Sequence, residues 1–380
     1  MSRPPRAPRR WQVIHGDCLK VLPKQDAATI DSVVTDPPYG IGFNGMKWDN
    51  AKKLDPARPP GQYHSRTSPS IAFQTFCAEW ASECLRVLKP GGHLAAFGGT
   101  RTAHLLACGL EEAGFEIRDT LMWIQGQGFP SSPALPKGRG VRLKPAYEPI
   151  LLARKPIEGT LDQNFARYGT GALNIDRCRI PDTTQQCPAE RRTHPRPYSA
   201  SERGRWPANL LLSHGRTCTS SRCERDCPIE LLGERHRFFY AAKAPRRERE
   251  AGCEQLPRRT VQTFKIGAKN EQLCNDNPVA NIHPTVKPIE LMRWLVRLIT
   301  PSEGLVLDPF TGSGSTGAAT VLEGARFLGI ERERDYVPIA RARVRHWARQ
   351  PRDSSRTKPA GASRGGGLAG GAKHVRETAR

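Results

Sequence analysis

No apolar run in this sequence approaches the roughly 20 residues needed to cross a bilayer, and no hydrophobic secretory region follows the basic start Arg3 to Arg10. A membrane is excluded as partner and the cytoplasm is the expected compartment. Cysteine is sparse for the length, eleven in 380 residues, which excludes a disulfide-built scaffold. There is no internal repeat. Acid is short as well: 37 Asp+Glu face 59 Lys+Arg, a formal charge of +22. A surplus of that size attracts a polyanion through counterion release, so nucleic acid is the expected partner. The length is ample for a large α/β domain with an elaboration.

Residues 1–10 are rich in proline and arginine and read as a flexible basic arm. Residues 349–380, mostly Gly, Ala, Ser and Arg without apolar periodicity, read as a disordered basic tail. Between them, residues 11–155 alternate helix and strand. Ser32-Val33-Val34-Thr35 reads as a buried strand, Phe73 to Leu88 as a helix closed by Pro90-Gly91-Gly92, and His93 to Phe97 as a strand. A helix over His104 to Ala113, then strands at Glu116–Ile124 and Pro149–Ala153, continue the series. The pattern breaks over 156–280, where only Asn209–Ser213 and Arg237–Ala242 look strand-like, and this is expected to be a separate region. Alternation resumes over 281–348: a helix from Pro288, a strand at Leu305–Leu307, a helix over Ser315–Leu322, a strand at Arg326–Ile330 and a last helix through Tyr336, Ile339 and Val344. Such alternation implies a sheet wound with crossovers.

Two short runs carry the chemistry. Near the end, Asp308-Pro309-Phe310-Thr311-Gly312-Ser313-Gly314 joins a strand to a helix through glycines that let a ligand approach the backbone. Glu331 closes the next strand, where an acid can accept hydrogen bonds from ribose hydroxyls. Gly312, Gly314 and Gly317 also satisfy the dinucleotide pattern, but Asp308-Pro309-Phe310 is foreign to it and no hydride-transfer site is evident. A phosphate-gripping loop fails because no Gly-Lys-Ser/Thr follows.

Near the start, Asp36-Pro37-Pro38-Tyr39 follows a strand. An exocyclic amino group on a base is a poor nucleophile because its lone pair is delocalised into the ring. A carboxylate (Asp36) accepting one N–H and a backbone carbonyl (Pro37) accepting the other would aim that lone pair at an electrophilic methyl. The prolines stiffen the backbone, and Tyr39 offers a face on which an extruded base can stack. Methylation at cytosine C5 would need a Pro-Cys nucleophile, and only the reverse order occurs, at Cys187-Pro188 and Cys227-Pro228.

Together these runs resemble the permuted β-class of DNA amino-methyltransferases, in which the catalytic motif comes first and the cofactor motif last. Gly16-Asp17-Cys18, Asp36-Pro37-Pro38-Tyr39, Leu88-Lys89-Pro90-Gly91-Gly92, His283-Pro284-Thr285-Val286-Lys287-Pro288 and the glycine turn carry the resemblance, over about residues 11–155 and 281–346. It implies a Rossmann-like methyltransferase sheet in circularly permuted order with S-adenosylmethionine as cofactor. By the same resemblance Asp17 and Cys18 meet its adenine, Thr285 and Lys287 support its methionine portion, and Asp308, Phe310, Gly312, Gly314 and Glu331 line the rest. Leu88 to Gly92 corresponds to a structural turn. In this family an aspartate opening the tetrapeptide accompanies adenine N6 methylation more often than cytosine N4, so adenine N6 is expected and cytosine N4 is the alternative. A methylase-like DNA-binding protein without turnover is the reading from another class. Double-stranded DNA is the implied partner, while a homodimer and a cognate restriction endonuclease are left open.

The resemblance also assigns 156–280 to target recognition. There Arg191, Arg192, Arg196, Arg203 and Arg205 interleave with Tyr198 and Trp206, residue types suited to phosphates, guanines and the gap left by a flipped base. His214, Cys218, Cys223 and Cys227 cluster in sequence and are candidates for a structural zinc, although the spacing lacks a Cys-x-x-Cys pair.

Overall fold

A computed structural model describes residues 10–42, 47–49, 69–125, 139, 143, 145–180, 204–213, 218, 223, 227–232, 240–242, 246–260, 262–265, 272–274 and 278–350. In chain order the elements are β1 (Trp11–His15), α1 (Cys18–Val21), β2 (Ile30–Thr35), α2 (Pro69–Val87), β3 (Leu88–Phe97), α3 (Ala103–Glu112), β4 (Glu116–Ile124), β5 (Tyr147–Arg154) and α4 (Leu161–Tyr168). There follow β6 (Leu210–Ser213), α5 (Pro228–Leu231), β7 (Tyr240–Ala242), β8 (Gln262–Lys265), β9 (Gln272–Cys274), α6 (Ile289–Ile299), β10 (Leu305–Asp308), α7 (Ser315–Leu322), β11 (Arg326–Glu331) and α8 (Tyr336–Ala348).

Among these residues nine strands form one sheet in the order β1-β11-β10-β2-β3-β5-β4-β6-β7, and β8 pairs only with β9. The first five run parallel, and β5 lies antiparallel to both β3 and β4. Strands covered on both faces read as continuous apolar runs, and the side chains here divide between two layers. Val34, Ala95, Phe97, Ile150 and Leu152 join α6, α7 and α8 on one face. Val33, Leu94, Ala96, Leu151 and Ala153 join α1, α2 and α3 on the other. In α2 the buried residues Phe73, Phe76, Cys77, Trp80, Ala81, Cys84 and Val87 recur every three or four positions, the stripe that turns a helix toward a sheet. α6 is buried almost all round, because the sheet lies on one side and α7 and the turn Ile175–Cys178 pack against it too.

Two expectations change. The turn expected at Leu88 to Gly92 is part of β3: Ile30 pairs with Leu88 and Ser32 with His93, so Lys89 to Gly92 bulge out of the ladder. Gly91, at φ 75°, is needed there, since a Cβ would lie 2.5 Å from Asn164 Nδ2. Asn164 in α4 then ties the bulge down by donating to the carbonyls of Pro90 (3.1 Å) and Thr170 (2.9 Å). Part of the region expected to stand apart from residue 156 onward joins the sheet, while β8 and β9 pair apart from it. β6 pairs in parallel with β4, and β7 with β6, so this stretch lengthens the sheet.

From β10 the chain crosses through α7 to β11, and from β2 through α2 to β3 on the opposite side. Between diverging connections the carboxyl ends of β10 and β2 open a crevice, the usual ligand position in an open α/β sheet.

Candidate active site

Both chemistry-bearing runs end at this crevice. Asp308 is the last residue of β10, Asp36 follows β2, and the buried hydroxyl of Thr35 donates to Asp308 Oδ1 at 2.7 Å. Residues separated by most of the chain are therefore bonded side chain to side chain.

The glycine turn is fixed mainly by backbone. Thr311 N donates to Ile330 O (3.0 Å) and Gly314 N to Thr311 O (2.8 Å). Gly312 (φ 52°) and Gly314 (φ 79°) adopt left-handed conformations, and a Cβ on Gly312 would press 2.7 Å from His283 Nε2. His283, packed edge-on against Tyr336 with ring centres 4.6 Å apart, links the 281–288 segment to the turn. Burial first, then Lys287 and Arg343, pulls its pKa to about 3 and keeps it neutral. Its Nδ1 accepts from Thr285 N at 3.3 Å. Beneath the turn Arg343, fully buried on α8, donates to Ser313 O (2.8 Å), Ser313 Oγ (3.0 Å) and Ser315 Oγ (3.1 Å).

Glu331 stands beside the turn at the end of β11. Its Oε2 accepts from Gly312 N (2.6 Å) and its Oε1 from Glu333 N (2.7 Å), so each oxygen keeps a lone pair for a ligand hydroxyl. Burial raises it to about 7, against the lowering effect of those two backbone bonds. Asp308 is raised to about 6, again by burial first, while the hydroxyls of Thr316 and Thr35 oppose the rise. Asp17 lies at the same edge, because Gly16 N donates to Glu331 O at 2.9 Å, and its side chain caps α1 through Leu19 N (3.1 Å). Cys18 turns away into the core and burial pushes its thiol up to about 12. The Phe310 ring meets Trp80 edge-on at 5.5 Å and Phe76 at 6.0 Å.

The loop after β2 is held by side chains. Asp49 Oδ1 accepts from Tyr39 N (2.6 Å) and Gly40 N (2.9 Å), and Thr102 Oγ1 donates to Tyr39 O (2.8 Å). Lys287 Nζ donates to Asp36 Oδ2 at 2.7 Å and lies 3.2 Å from Glu148 Oε2. The Tyr39 hydroxyl, 2.9 Å from Asp36 Oδ1 and 2.8 Å from Glu148 Oε2, donates to one carboxylate at a time. Gln125 Nε2 donates to the other oxygen of Glu148. Lys287 also lies 4.9 Å from the centre of the Phe97 ring. Burial raises Asp36 above the usual carboxylate range; Lys287 opposes this and Glu148 adds to it. Burial would pull Lys287 down, but Asp36 and Glu148 outweigh it and hold the ammonium charged. Burial and the two carboxylates keep the Tyr39 phenol well above its ordinary value. A buried acid with a raised pKa, oriented by a lysine and a phenol, is equipped to accept a proton from an amino group.

Glu148 was not marked by the sequence. It sits at the start of β5, and because β5 runs antiparallel to β3 its beginning comes to the edge where β3 ends. Arg343 was also missed, although a lone arginine within the apolar stripe of Ile339, Ala340 and Val344 was the available signal. Of the expected nucleic-acid contacts, Arg205 bridges backbone to backbone with Ile180 and Trp206 is 66% exposed, with the Arg179 guanidinium 5.4 Å from its ring centre. Arg191, Arg192, Arg196, Tyr198, Arg203 and His214 lie outside the described residues. Cys218, Cys223 and Cys227 converge beyond the end of β6.

The sequence matches the family described as DNA methylase over residues 30–342. The chain belongs to that family. It is a DNA methyltransferase of the N6/N4 amino-methyltransferase type. Its relatives include two type II methyltransferases of Haemophilus influenzae. M.HindIII is 21% identical over 367 residues, covering 86% of this chain and 93% of that one. M.HinfI is 21% identical over 345 residues, covering 90% and 70%. Similar solved structures include an M1.HpyAVI–SAM complex (18% identity, TM-score 0.42, 88% of this chain and 99% of that one). Another is the PvuII DNA methyltransferase described as cytosine-N4-specific (16%, 0.48, 88% and 86%). The donor set of this family member fits a nucleoside cofactor, since Glu331 keeps an acceptor free on each oxygen and the glycine turn carries no side chain at Gly312 or Gly314.

Proposed function

We propose that this DNA methyltransferase modifies the N6 amino group of adenine, flipped out of double-stranded DNA, with Asp36 as the catalytic acceptor. The observation that carries the reading is the Thr35–Asp308 bond, which joins the loop suited to an amino group to the turn suited to a nucleoside. S-adenosylmethionine, when bound, supplies an electrophilic methyl group on a sulfonium centre. Glu331 would hold its ribose hydroxyls, the glycine turn would pass close beneath it, and Asp17 and Thr285 are the further contacts proposed.

On the chain's side, Asp36 accepts one amino hydrogen and the Pro37 carbonyl the other, which localises the nitrogen lone pair. With the lone pair so aligned toward the methyl group that the cofactor would supply, Asp36 would take the surplus proton from the nitrogen. The raised Asp36 carboxyl suits that acceptance. Lys287 pairs with Asp36 and Glu148 and fixes the carboxylate rotamer, so Lys287 acts as a positioning residue for catalysis. Tyr39, tied through its hydroxyl and backbone, offers its ring to the extruded base. Asp36 at the head of the tetrapeptide favours adenine over cytosine through the family resemblance. Arg205 and the exposed Trp206 are proposed DNA contacts.

The test is methyl transfer from labelled cofactor to plasmid DNA, followed by nucleoside analysis. N6-methyladenine is the expected product. N4-methylcytosine would overturn the base assignment, and absence of transfer by a chain that still binds cofactor would favour the silent DNA-binding reading.

A further inference from the structure

Between Ser213 and Cys227 the sequence contains no aliphatic or aromatic residue, only polar, charged, glycine and cysteine residues. Such a stretch has little but its cysteines to bury and gains little hydrophobic contact to offset its own ordering entropy. Yet Cys218, Cys223 and Cys227 are brought together there, with all three sulfurs within 4.8 Å of one another. Zinc–sulfur bonds of about 2.3 Å in a tetrahedral site set the sulfurs ~3.8 Å apart, so a small inward movement completes the geometry. None of Cys218, Cys223 and Cys227 is in a disulfide.

The surroundings suit a structural ion. Cys227 is fully buried with Leu212 and Ile229 in a small apolar cluster, with Cys218 and Cys223 packed against it. The cluster sits on β6, whose Ser213 Oγ accepts from Trp123 Nε1 at 3.1 Å, and β6 extends the catalytic sheet beyond β4. The ion would close the excursion between β6 and α5, in place of the apolar residues the excursion lacks.

We propose that Cys218, Cys223 and Cys227 bind one zinc ion as thiolates, a structural site that pins the excursion after β6 to the far edge of the sheet. Binding releases the three thiol protons to solvent, and no electron transfer is involved. Three soft sulfur donors select zinc over magnesium or calcium.

The site is tested on the full-length protein, purified without metal-affinity resin or chelator, by elemental analysis and by titration with a mercurial in the presence of a zinc-sensitive dye. The expected result is one zinc per chain, released in step with thiol modification. C223S should lose the zinc, whereas C108S, which alters an exposed cysteine on α3, should keep it. Iron in place of zinc, a disulfide between two of the three, or full thiol reactivity without metal release from the unmodified protein would each overturn the proposal. Because the stoichiometry is read on the unaltered chain, a C223S variant that fails to fold leaves the test intact.

Discussion

Two loops meet in the crevice and are held in opposite ways. The glycine turn after β10 is locked by backbone hydrogen bonds, left-handed glycines and a buried arginine beneath it. The loop after β2 is held by side chains, two carboxylates, a lysine and a phenol within hydrogen-bond reach of one another. A lock of backbone bonds and left-handed glycines presents one fixed surface. A cluster of ionised groups is balanced only while every member is present, so removing one disturbs the others. The first arrangement suits binding, and the second suits a proton that must move.

This contrast is broken most severely by Asp36→Ala. Turnover should fall about 10³-fold, the scale for losing a group that acts on the transition state, with cofactor affinity nearly unchanged by calorimetry. Retained activity would remove Asp36 from the mechanism. Lys287→Met comes next, since it leaves Asp36 and Glu148 facing each other without a cation. Chemical denaturation should show a loss of about 3–5 kcal/mol, and adding Glu148→Gln should restore part of it. Strictly additive losses would mean that the two side chains are not coupled.

Gly312→Ala probes the other loop, forcing a side chain into a left-handed conformation against His283. A stability loss of roughly 1–3 kcal/mol is expected, together with weaker cofactor binding. An unchanged cofactor affinity would argue against close passage of the ligand over this turn. The smallest effect is a pH dependence. Glu331 is at about 7 in the folded chain against an ordinary 4.5, so the native state binds the extra proton between those values. Its contribution to stability is therefore present below about 4.5 and is lost as pH rises through about 7. Cofactor affinity should run the other way, since ribose hydroxyls need the carboxylate, falling by at most about tenfold per unit below pH 7. A Glu331→Gln variant should lose this dependence, and the same slope in that variant would assign it elsewhere.

The parts legible in the sequence were those fixed by local chemistry. Val33 and Val34 read as a buried strand, and the glycines after Asp308 as a surface that a ligand can approach closely. The permuted order of the motifs then predicted that Asp36 and Asp308 share one crevice. What depended on pairing between distant strands was not legible. Glu148 reads as one acid in an apolar strand, and only the antiparallel register of β5 brings it to Lys287. The bulge at Lys89 to Gly92 looked like a turn because proline and glycine mark both, and the tie from Asn164 that makes it a bulge comes from another helix. β6 and β7 looked detached because their flanks are polar, while the edge of β4 that receives them carries no sequence signature.

The bond between Thr35 and Asp308 also bears on how the protein is made. β2 leaves the ribosome before its neighbour β10, and 273 residues separate Thr35 from Asp308. At elongation rates of about 5–20 residues per second, that delay is on the order of tens of seconds. Throughout it the middle of the sheet has an open flank that a nascent chain must keep from other strands, a stage at which chaperones have something to hold. The same delay keeps Asp36 and Asp308 from sharing a crevice in a growing polypeptide, so the site forms only once β10 has been made.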